Sequence, residues 1–371
     1  MNEKIDEKYL LLRLLPKNVD FSNFYNIPAC DAIIVVMKRP LHTNTKSQPK
    51  NFVTPEKAAY HAEILSNRIR KQFRHFSRKY KKQNIDCFRL YDWDIKEVRA
   101  VVDWYAGHVV IGEYERLQTG EDWLPQMAAA VAEALNVPAD KLHVKHRRTK
   151  TEDGPRYAKN EKKPQGERFE VRERDLKFWV NLSDYLDTGL YSDHRDTRVI
   201  IRELAKGKDV LNLYAYTGAF TCAAAAGGAK STVTVDRSAT YLQWAQDNLE
   251  LNKLNGPQHT VVQSDVDKYL ASVRGSSRKF TLAFVDPPSF FNDQSNNISF
   301  DINEDHRQLL QNVLKVMVKG SFVFFSTNHQ RFEPRFENLP IVDLVELTPK
   351  TIPEDYRNKA VHRCWRMTAA Q

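Results

Sequence analysis

The sequence has few cysteines, no long apolar run and no recognisable leader. Its four cysteines, Cys30, Cys87, Cys222 and Cys364, lie far apart, and no histidines cluster near them. This spacing argues against both a disulfide framework and a zinc site. No apolar run reaches the roughly 20 residues that a membrane-spanning helix requires. We therefore expect reduced thiols, no bound metal and a cytoplasmic protein that makes no contact with a membrane.

The chain also lacks an excess of acidic residues. It carries a formal net charge of +9 over 371 residues, which favours a polyanionic partner because cationic side chains displace the counterions condensed on a phosphate backbone. The basic residues are densest in two runs, one in a helix expected at 63–80 and one in a loop at 145–163. Either run alone is more often a solvated surface, but two in one half of the chain favour nucleic-acid binding.

The order of predicted elements divides the chain into three segments. Residues 1–55 are an N-terminal extension of unknown role, with a strand-like stretch at 32–36 and a polar linker at 43–49. Residues 56–187 mix helices and strands with both basic runs, which predicts a small α/β domain that binds RNA. Residues 188–371 alternate strands with helices, a pattern typical of a doubly wound, mostly parallel sheet of the Rossmann type.

Polar residues follow successive strands of that predicted sheet. Gly218 follows the first strand, but the three-glycine dinucleotide fingerprint is missing, which favours a ligand without a pyrophosphate. Asp236 ends the second strand, where a carboxylate can accept both hydroxyls of a ribose. Asp265, directly after Ser264, ends the third strand and is placed to accept from an adenine amino group. Each aspartate alone is more often a turn residue or a helix cap, but together with Asp286 they predict a nucleoside site.

The fourth strand ends in Asp286-Pro287-Pro288-Ser289-Phe290. Proline cannot continue a central strand, so the pair stops the strand and fixes the direction in which the chain leaves it. The two rings would hold the Asp286 carboxylate rigidly, and Phe290 offers a ring on which a planar base can stack. An ordinary proline-terminated loop is the alternative. Considered with the three preceding strand ends, the segment is interpreted as the wall of a catalytic pocket.

From about residue 65 onward the chain resembles the bacterial 23S ribosomal RNA large-subunit methyltransferases, and most of all the guanine-N7 methyltransferase half of the fused K/L enzymes. The resemblance is carried by residues 86–92, 181–190, 193–195, 212–218, 234–236 and 286–288. It implies a class I methyltransferase domain at 188–371, S-adenosylmethionine as cofactor, and 23S ribosomal RNA or a large-subunit precursor as partner. The fused enzymes carry a further N-terminal half that residues 1–60 are too short to replace, so RNA targeting is expected to fall to residues 56–187.

The resemblance also implies roles for individual residues. Asp286 to Ser289 would face the methyl group and the target base, with Phe290 beside them. The residues expected to bind the cofactor are Leu190, Ser192, Arg195, Asn212, Tyr214, Tyr216, Thr217, Gly218, Asp236, Arg237, Ser238, Ser264, Asp265 and Asp286.

The target atom is predicted from a missing cysteine. A 5-methylcytosine enzyme needs a cysteine that attacks the pyrimidine ring, but the positions where it would lie hold Ser289-Phe290 and Ser326-Thr327-Asn328. Guanine N7 has an in-plane lone pair and no proton to lose, so in-line placement suffices without a covalent intermediate. Adenine N6 and guanine N2 remain as alternative target atoms. A non-catalytic RNA-binding or ribosome-assembly protein with a vestigial methyltransferase fold is the alternative that is not an enzyme. The oligomeric state, monomer or homodimer, is left open.

Overall fold

The computed structural model describes residues 52–114, 119–147, 166–185, 187–293 and 298–370. These residues belong to one compact unit, Pro49–Gln371. The strand expected at 32–36, the linker at 43–49 and most of the second basic run lie outside the described residues.

The small α/β part begins with a long helix, α1, which packs on one face of a four-stranded sheet. Thr54 caps this helix by accepting from the Lys57 amide at 3.3 Å, and Pro55 occupies its first turn, a position where proline is favoured because its missing N–H is not needed. The helix therefore starts eight residues before the start expected from its apolar spacing alone. The elements of the small α/β part, in chain order, are α1 (Pro55–Lys81), β1 (Cys87–Asp92), β2 (Ala100–Tyr105), β3 (His108–Tyr114), α2 (Trp123–Leu135) and β4 (Leu142–Arg147).

The four strands follow the order β1-β2-β3-β4, in which only β4 runs parallel to its neighbour. A hairpin of β5 (Phe169–Glu173) and β6 (Leu176–Val180) follows. Asn248 and Asn252 fix this hairpin to the next part of the chain, because their side-chain oxygens accept from the amides of Trp179 at 2.9 Å and Lys177 at 2.8 Å.

The remaining residues build a seven-stranded sheet with helices on both faces. Its strand order is β14-β15-β13-β10-β7-β8-β9. The elements are α3 (Arg195–Leu204), β7 (Asp209–Leu213), α4 (Ala219–Ala226), β8 (Ser231–Asp236), α5 (Ala239–Leu251), β9 (His259–Gln263), α6 (Val266–Arg274), β10 (Phe280–Val285), β11 (Phe290–Asp293), β12 (Ile298–Asp301), α7 (Ile302–Lys315), β13 (Met317–Thr327), β14 (Ile341–Glu346), α8 (Thr348–Thr351) and β15 (Arg363–Ala369).

Five neighbouring strands of this sheet, from β13 to β9, run parallel, and β15 and β14 add an antiparallel edge. The inner parallel strands β7, β8 and β10 are largely buried, as expected for strands covered on both faces, whereas the edge strand β9 is only partly buried. The direction of strand addition reverses between β7 and β10, and the carboxyl ends of strands at such a switch point border a crevice. The fold class is as predicted, a Rossmann-like sheet preceded by a small α/β part.

The structure corrects some element boundaries. The helix expected at 304–318 is α7, which ends at Lys315, and the strand expected at 322–326 starts earlier, because Met317 already pairs with Phe280. Helices α3, α6 and α8, strand β14 and the β11–β12 hairpin were not anticipated. In the described part of the chain, no helix combines the length and the apolar character needed to cross a membrane.

Candidate active site

The turn after β7 has an unusual backbone. Tyr214, Tyr216 and Gly218 have φ values of 54°, 50° and 72°, and a residue other than glycine in this left-handed region costs on the order of 1–3 kcal/mol. A side chain at Gly218 would place its Cβ 2.7 Å from the Cβ of Ala245 on α5. The side-chain amide of Asn248 also donates to the Thr217 carbonyl at 2.9 Å. These contacts hold the turn in a shape that the chain alone would not favour.

Asp236 stabilises the same turn from the end of β8. Its carboxylate accepts from the amides of Tyr216 and Ser238, both at 2.9 Å. Burial raises the pKa of this carboxyl group. The Arg237 backbone N–H also faces this carboxylate. A carboxylate offers about four lone-pair sites, so part of its accepting capacity remains for a ligand hydroxyl.

Arg237 and Ser238 extend from Asp236 in two directions. The Arg237 guanidinium pairs with Asp293 and lies 4.9 Å from the ring centroid of Phe291, which connects β8 to the β11–β12 hairpin. The Ser238 hydroxyl caps α5 by accepting from the Tyr241 amide at 3.3 Å. Both side chains therefore have structural partners at the predicted cofactor edge.

Asp265 acts as a helix cap, as an isolated aspartate often does. Its Oδ1 accepts from the amides of Asp267 at 3.0 Å and Lys268 at 3.3 Å, at the start of α6. The Ser264 amide donates to the Asp236 carbonyl at 3.0 Å. The third strand end therefore lies beside the second, and its contact with an adenine stays a prediction.

Four other predicted cofactor residues are buried. Leu190 is 2% exposed and packs in the core, and Ser192 shares a hydrogen bond of 2.7 Å with the Tyr356 hydroxyl. The Asn212 amide donates to Thr221 at 3.0 Å, and the Thr217 hydroxyl donates to the Gly189 carbonyl at 2.6 Å. The Thr217 contact holds the turn itself, and the assignment of all four residues to cofactor binding stays a prediction.

Arg195 lies in a cluster that joins the small α/β part to the seven-stranded sheet. Its guanidinium, 1% exposed, donates to both oxygens of Asp355 at 2.7 and 2.9 Å and lies 4.6 Å from the ring centroid of Tyr80. Asp355 also accepts from the Tyr80 hydroxyl at 2.8 Å and from the Arg89 amide at 2.9 Å. We call these four residues the Arg195–Asp355 cluster. The cofactor role expected for Arg195 stays a prediction, and in the structure its guanidinium binds Asp355.

The Asp286 segment leaves β10 beside the end of β7. Ser289 donates its hydroxyl to the Asn328 side chain at 2.9 Å, and its carbonyl accepts from the Ile302 amide at 3.0 Å. Phe290 is 63% exposed, so an aromatic ring lies open to solvent two residues after the proline pair. Burial in the protein and repulsion by Asp193 raise the pKa of Asp286 to about 7, although 27% of its side chain remains exposed.

Behind Asp286 lies a group that sequence reasoning did not assemble: Asp193, His194, Ser326 and His362. The His194 Nε2 lies 3.7 Å from the Asp286 carboxylate and 3.4 Å from the Ser326 hydroxyl. The His194 and His362 rings stack with centroids 4.0 Å apart. The His362 Nδ1 lies 3.0 Å from Asp193. We call these residues, with Asp286, the acid–imidazole cluster.

The sequence indicated three members of this cluster. Asp286 was predicted as a pocket residue, and Asp193 and His194 lie within a segment that carried the family resemblance, whereas His362 precedes β15 and is 169 positions away from Asp193. It joins the cluster only because β15 pairs with β13 in the antiparallel edge. Among the described residues, Asp193, His194 and His362 also lie close enough, within 4.8 Å, to suit a metal ion.

Comparison with known proteins identifies the family. A model of the S-adenosylmethionine-dependent methyltransferases matches residues 92–343, which is most of the chain. The chain belongs to this family. S-adenosylmethionine is accordingly its cofactor, and the strand-end residues of this methyltransferase fit a nucleoside, because Asp236 keeps free lone pairs beside a turn that lacks a phosphate-binding fingerprint.

One curated relative of this methyltransferase is the ribosomal RNA large subunit methyltransferase K/L of Syntrophotalea carbinolica, 41% identical over 313 residues. The alignment covers 83% of this chain and 43% of that protein, so the chain spans less than half of the relative's length.

Among solved structures, the methyltransferase is similar to SMU.776 complexed with SAH, with a TM-score of 0.67 at 21% identity, covering 84% of this chain and 82% of that one. It is also similar to the SAM-dependent methyltransferase from Agrobacterium tumefaciens, with a TM-score of 0.54 at 14% identity, covering 78% and 91% of the two chains. At these identities the likeness concerns the fold.

Proposed function

We propose that this methyltransferase methylates a base nitrogen of ribosomal RNA, with guanine N7 of 23S ribosomal RNA as the preferred target and no covalent intermediate. The observation that carries the choice of nitrogen is the state of the thiols. Cys87, Cys222 and Cys364 are each 0% exposed, and burial raises the pKa of each. A buried, protonated thiol is a poor nucleophile, so the described part of the chain offers no cysteine suited to attack a pyrimidine.

In this proposal the cofactor lies across the carboxyl ends of β7, β8 and β9. Asp236 accepts the two ribose hydroxyls with its remaining lone pairs, and Asp265 accepts from the adenine amino group. The turn at 214–218, with Asn212 and Thr217 beneath it, holds the methionine part. The contacts that keep Asp236 and Gly218 in place support this arrangement, because a preformed site loses less entropy when it binds.

The base would stack on the exposed ring of Phe290, with its reacting nitrogen facing Asp286. Methyl transfer forms the bond from nitrogen to carbon with the nitrogen lone pair, while the sulfur keeps the electron pair of the breaking bond. Positive charge thus moves from the sulfonium to the base. An ionised Asp286 carboxylate beside that path stabilises the charge as it moves, and guanine N7 needs no base to remove a proton.

An exocyclic amine is the second candidate. Adenine N6 or guanine N2 must lose a proton after methylation, and Asp286 has the pKa of about 7 that suits a proton acceptor. The two kinds of target thus make different demands on one carboxylate.

Ribosomal RNA as the substrate is supported by the name of the 41% identical relative and by the basic face of α1. That face exposes Lys71, Arg74, Arg78, Lys81 and Lys82. We assign RNA binding to a domain at 56–187 and catalysis to a domain at 188–371. A target base within a duplex would have to be flipped out, at a cost of a few kcal/mol.

Methylation with isotopically labelled S-adenosylmethionine tests the proposal. Purified protein is incubated with 23S ribosomal RNA and with large-subunit precursors, and the RNA is digested to nucleosides for mass spectrometry. We expect labelled 7-methylguanosine. Labelled 6-methyladenosine or 2-methylguanosine would transfer the proposal to the second candidate. Tight cofactor binding without label in any RNA would instead favour a non-catalytic RNA-binding protein and overturn the enzymatic proposal.

A further inference from the structure

The acid–imidazole cluster places two carboxylates, Asp193 and Asp286, beside the imidazoles of His194 and His362. Asp193 is held in the ionised form, because its hydrogen bond with His362 Nδ1 at 3.0 Å and the positive charge of Arg89 keep its pKa below the ordinary value despite its burial. A fixed negative charge next to Asp286 opposes a second one. The cluster is therefore arranged against full ionisation of the carboxylate nearest the proposed reaction.

Ser326 acts in the opposite direction. Its hydroxyl donates to the Asp286 carboxylate and lowers the pKa of that group. Since the only proton of Ser326 is used there, its oxygen must accept from His194 Nε2–H, which leaves His194 Nδ1 to accept from the Thr197 hydroxyl at 3.2 Å. His194 is thereby fixed as a neutral ring, in agreement with the burial and the neighbouring His362 that keep its pKa well below the usual range.

The hydrogen bonds of the cluster are satisfied without an ion. His362 uses Nδ1 toward Asp193 and Nε2 toward the Thr351 hydroxyl at 3.0 Å, and both nitrogens of His194 are engaged. We therefore do not interpret these residues as metal ligands. The titratable groups that face Asp286 are Asp193 and His194 before α3, His362 before β15, and the Cys364 thiol on β15, whose pKa burial and Asp286 raise.

We propose that Asp193 and Ser326 are opposing positioning residues, which set the ionisation of Asp286 and so control how strongly the methyl-transfer site prefers the sulfonium of S-adenosylmethionine to neutral S-adenosylhomocysteine. The inference rests on the proposed placement of Asp286 beside the transferred methyl group. S-adenosylmethionine carries a positive charge at sulfur that its demethylated product lacks. An ionised Asp286 therefore attracts the substrate form of the cofactor and not the product form.

The test needs no RNA. The dissociation constants of S-adenosylmethionine and S-adenosylhomocysteine are measured by calorimetry from about pH 5.5 to about pH 8.5, a range that brackets a carboxyl group with a raised pKa. In the wild type we expect the preference for S-adenosylmethionine to rise several-fold with a midpoint near pH 7, the pKa of Asp286. Asp193→Asn should lower this midpoint by about 1 pH unit and Ser326→Ala should raise it by a similar amount.

Conservative variants separate this role from simple support of the fold. Asp193→Glu keeps the charge and Ser326→Thr keeps the hydroxyl, so both should return the midpoint toward the wild-type value. Asp286→Asn should abolish the pH dependence. The control Asp343→Asn, which removes a carboxylate paired with Arg366 on the edge strand β14, should leave the midpoint unchanged.

The outcomes distinguish the inference from the function on which it rests. A wild-type preference that does not change with pH would place Asp286 away from the sulfonium and overturn the proposed site. A pH-dependent preference whose midpoint is the same in Asp193→Asn and Ser326→Ala would overturn the positioning role and leave the site intact. A stoichiometric metal in the purified wild type that disappears in Asp193→Asn would also overturn the inference, because the cluster would then be a metal centre.

Discussion

Two buried charged clusters adjoin each other in the chain, and they differ in how their charges are matched. In the Arg195–Asp355 cluster the two side chains are 1% and 0% exposed, and each carboxylate oxygen has a guanidinium donor. In the acid–imidazole cluster, two carboxylates face a neutral His194, and Asp286 opens toward the strand ends. A complete, closed pairing suits a structural joint, whereas unmatched charge at an open edge suits chemistry. Position in sequence does not separate them, since His194 and Arg195 are consecutive.

The largest effect is expected from breaking the matched cluster. Arg195→Ala leaves Asp355 buried without its partner, which should lower the free energy of unfolding by about 3–5 kcal/mol. Urea denaturation measures the loss. Arg202→Ala on the same helix removes an exposed pair with Asp175 and should cost less than about 1 kcal/mol. Equal losses in the two variants would contradict the structural role of Arg195.

A substitution in the acid–imidazole cluster should lower the rate of methyl transfer and leave the free energy of unfolding largely unchanged. Asp286→Asn removes the charge beside the proposed methyl path and should lower turnover about 100-fold or more. Cofactor affinity should fall by less than about tenfold, because only the sulfonium loses a partner. Single-turnover methylation and calorimetry measure the two quantities. If affinity and turnover fell by the same factor, Asp286 would be a binding residue and not the wall of the reaction pocket.

Asp236 is intermediate between the two clusters, because backbone N–H groups stabilise its charge but leave part of its carboxylate free to accept from a ligand. Asp236→Ala should weaken S-adenosylmethionine and S-adenosylhomocysteine by the same factor, about tenfold or more, since the two share the ribose. The control Asp247→Ala removes a partly exposed carboxylate that pairs with Arg168 and should change neither affinity. If the affinities for the two ligands fell by different factors, Asp236 would contact the sulfur end of the cofactor and not the ribose.

The smallest effect is expected from the exposed positive charges on α1. Lys71→Gln, Arg74→Gln and Arg78→Gln together should weaken RNA binding and reduce the slope of log affinity against log salt by about 1 for each phosphate that the variant no longer binds. A triple change of the exposed Lys206, Lys208 and Lys230, which lie at the amino ends of β7 and β8, should leave the slope unchanged. An unaltered slope in the first variant would place the RNA surface elsewhere.

The sequence predicted what depends on local pattern. Apolar runs and proline or glycine stops located the parallel strands. Asp236 and Asp286 were recognised because Asp236 ends β8 and Asp286 directly follows β10. Helix α3 was missed since its buried face consists largely of Arg195, Thr197 and Arg198, which an apolar pattern does not include. The buried positions of these arginines depend on Asp355 and Glu173, partners brought close only by the fold.

The same limit explains the acid–imidazole cluster. No local spacing connects His194 with His362, because their contact follows from the antiparallel pairing of β15. The roles of the site residues and the boundary near residue 187 remain predictions.

The antiparallel edge has a consequence for synthesis. Asp355 meets Arg195 across 160 positions and Arg89 across 266, and β15 enters the sheet between β13 and β14, which both precede it in the chain. Contacts over such separations form late, because a long loop must close before they contribute. We therefore expect a nascent chain to build the cofactor turn before residue 362 emerges, and His362 to reach Asp193 only when β15 has paired with β13.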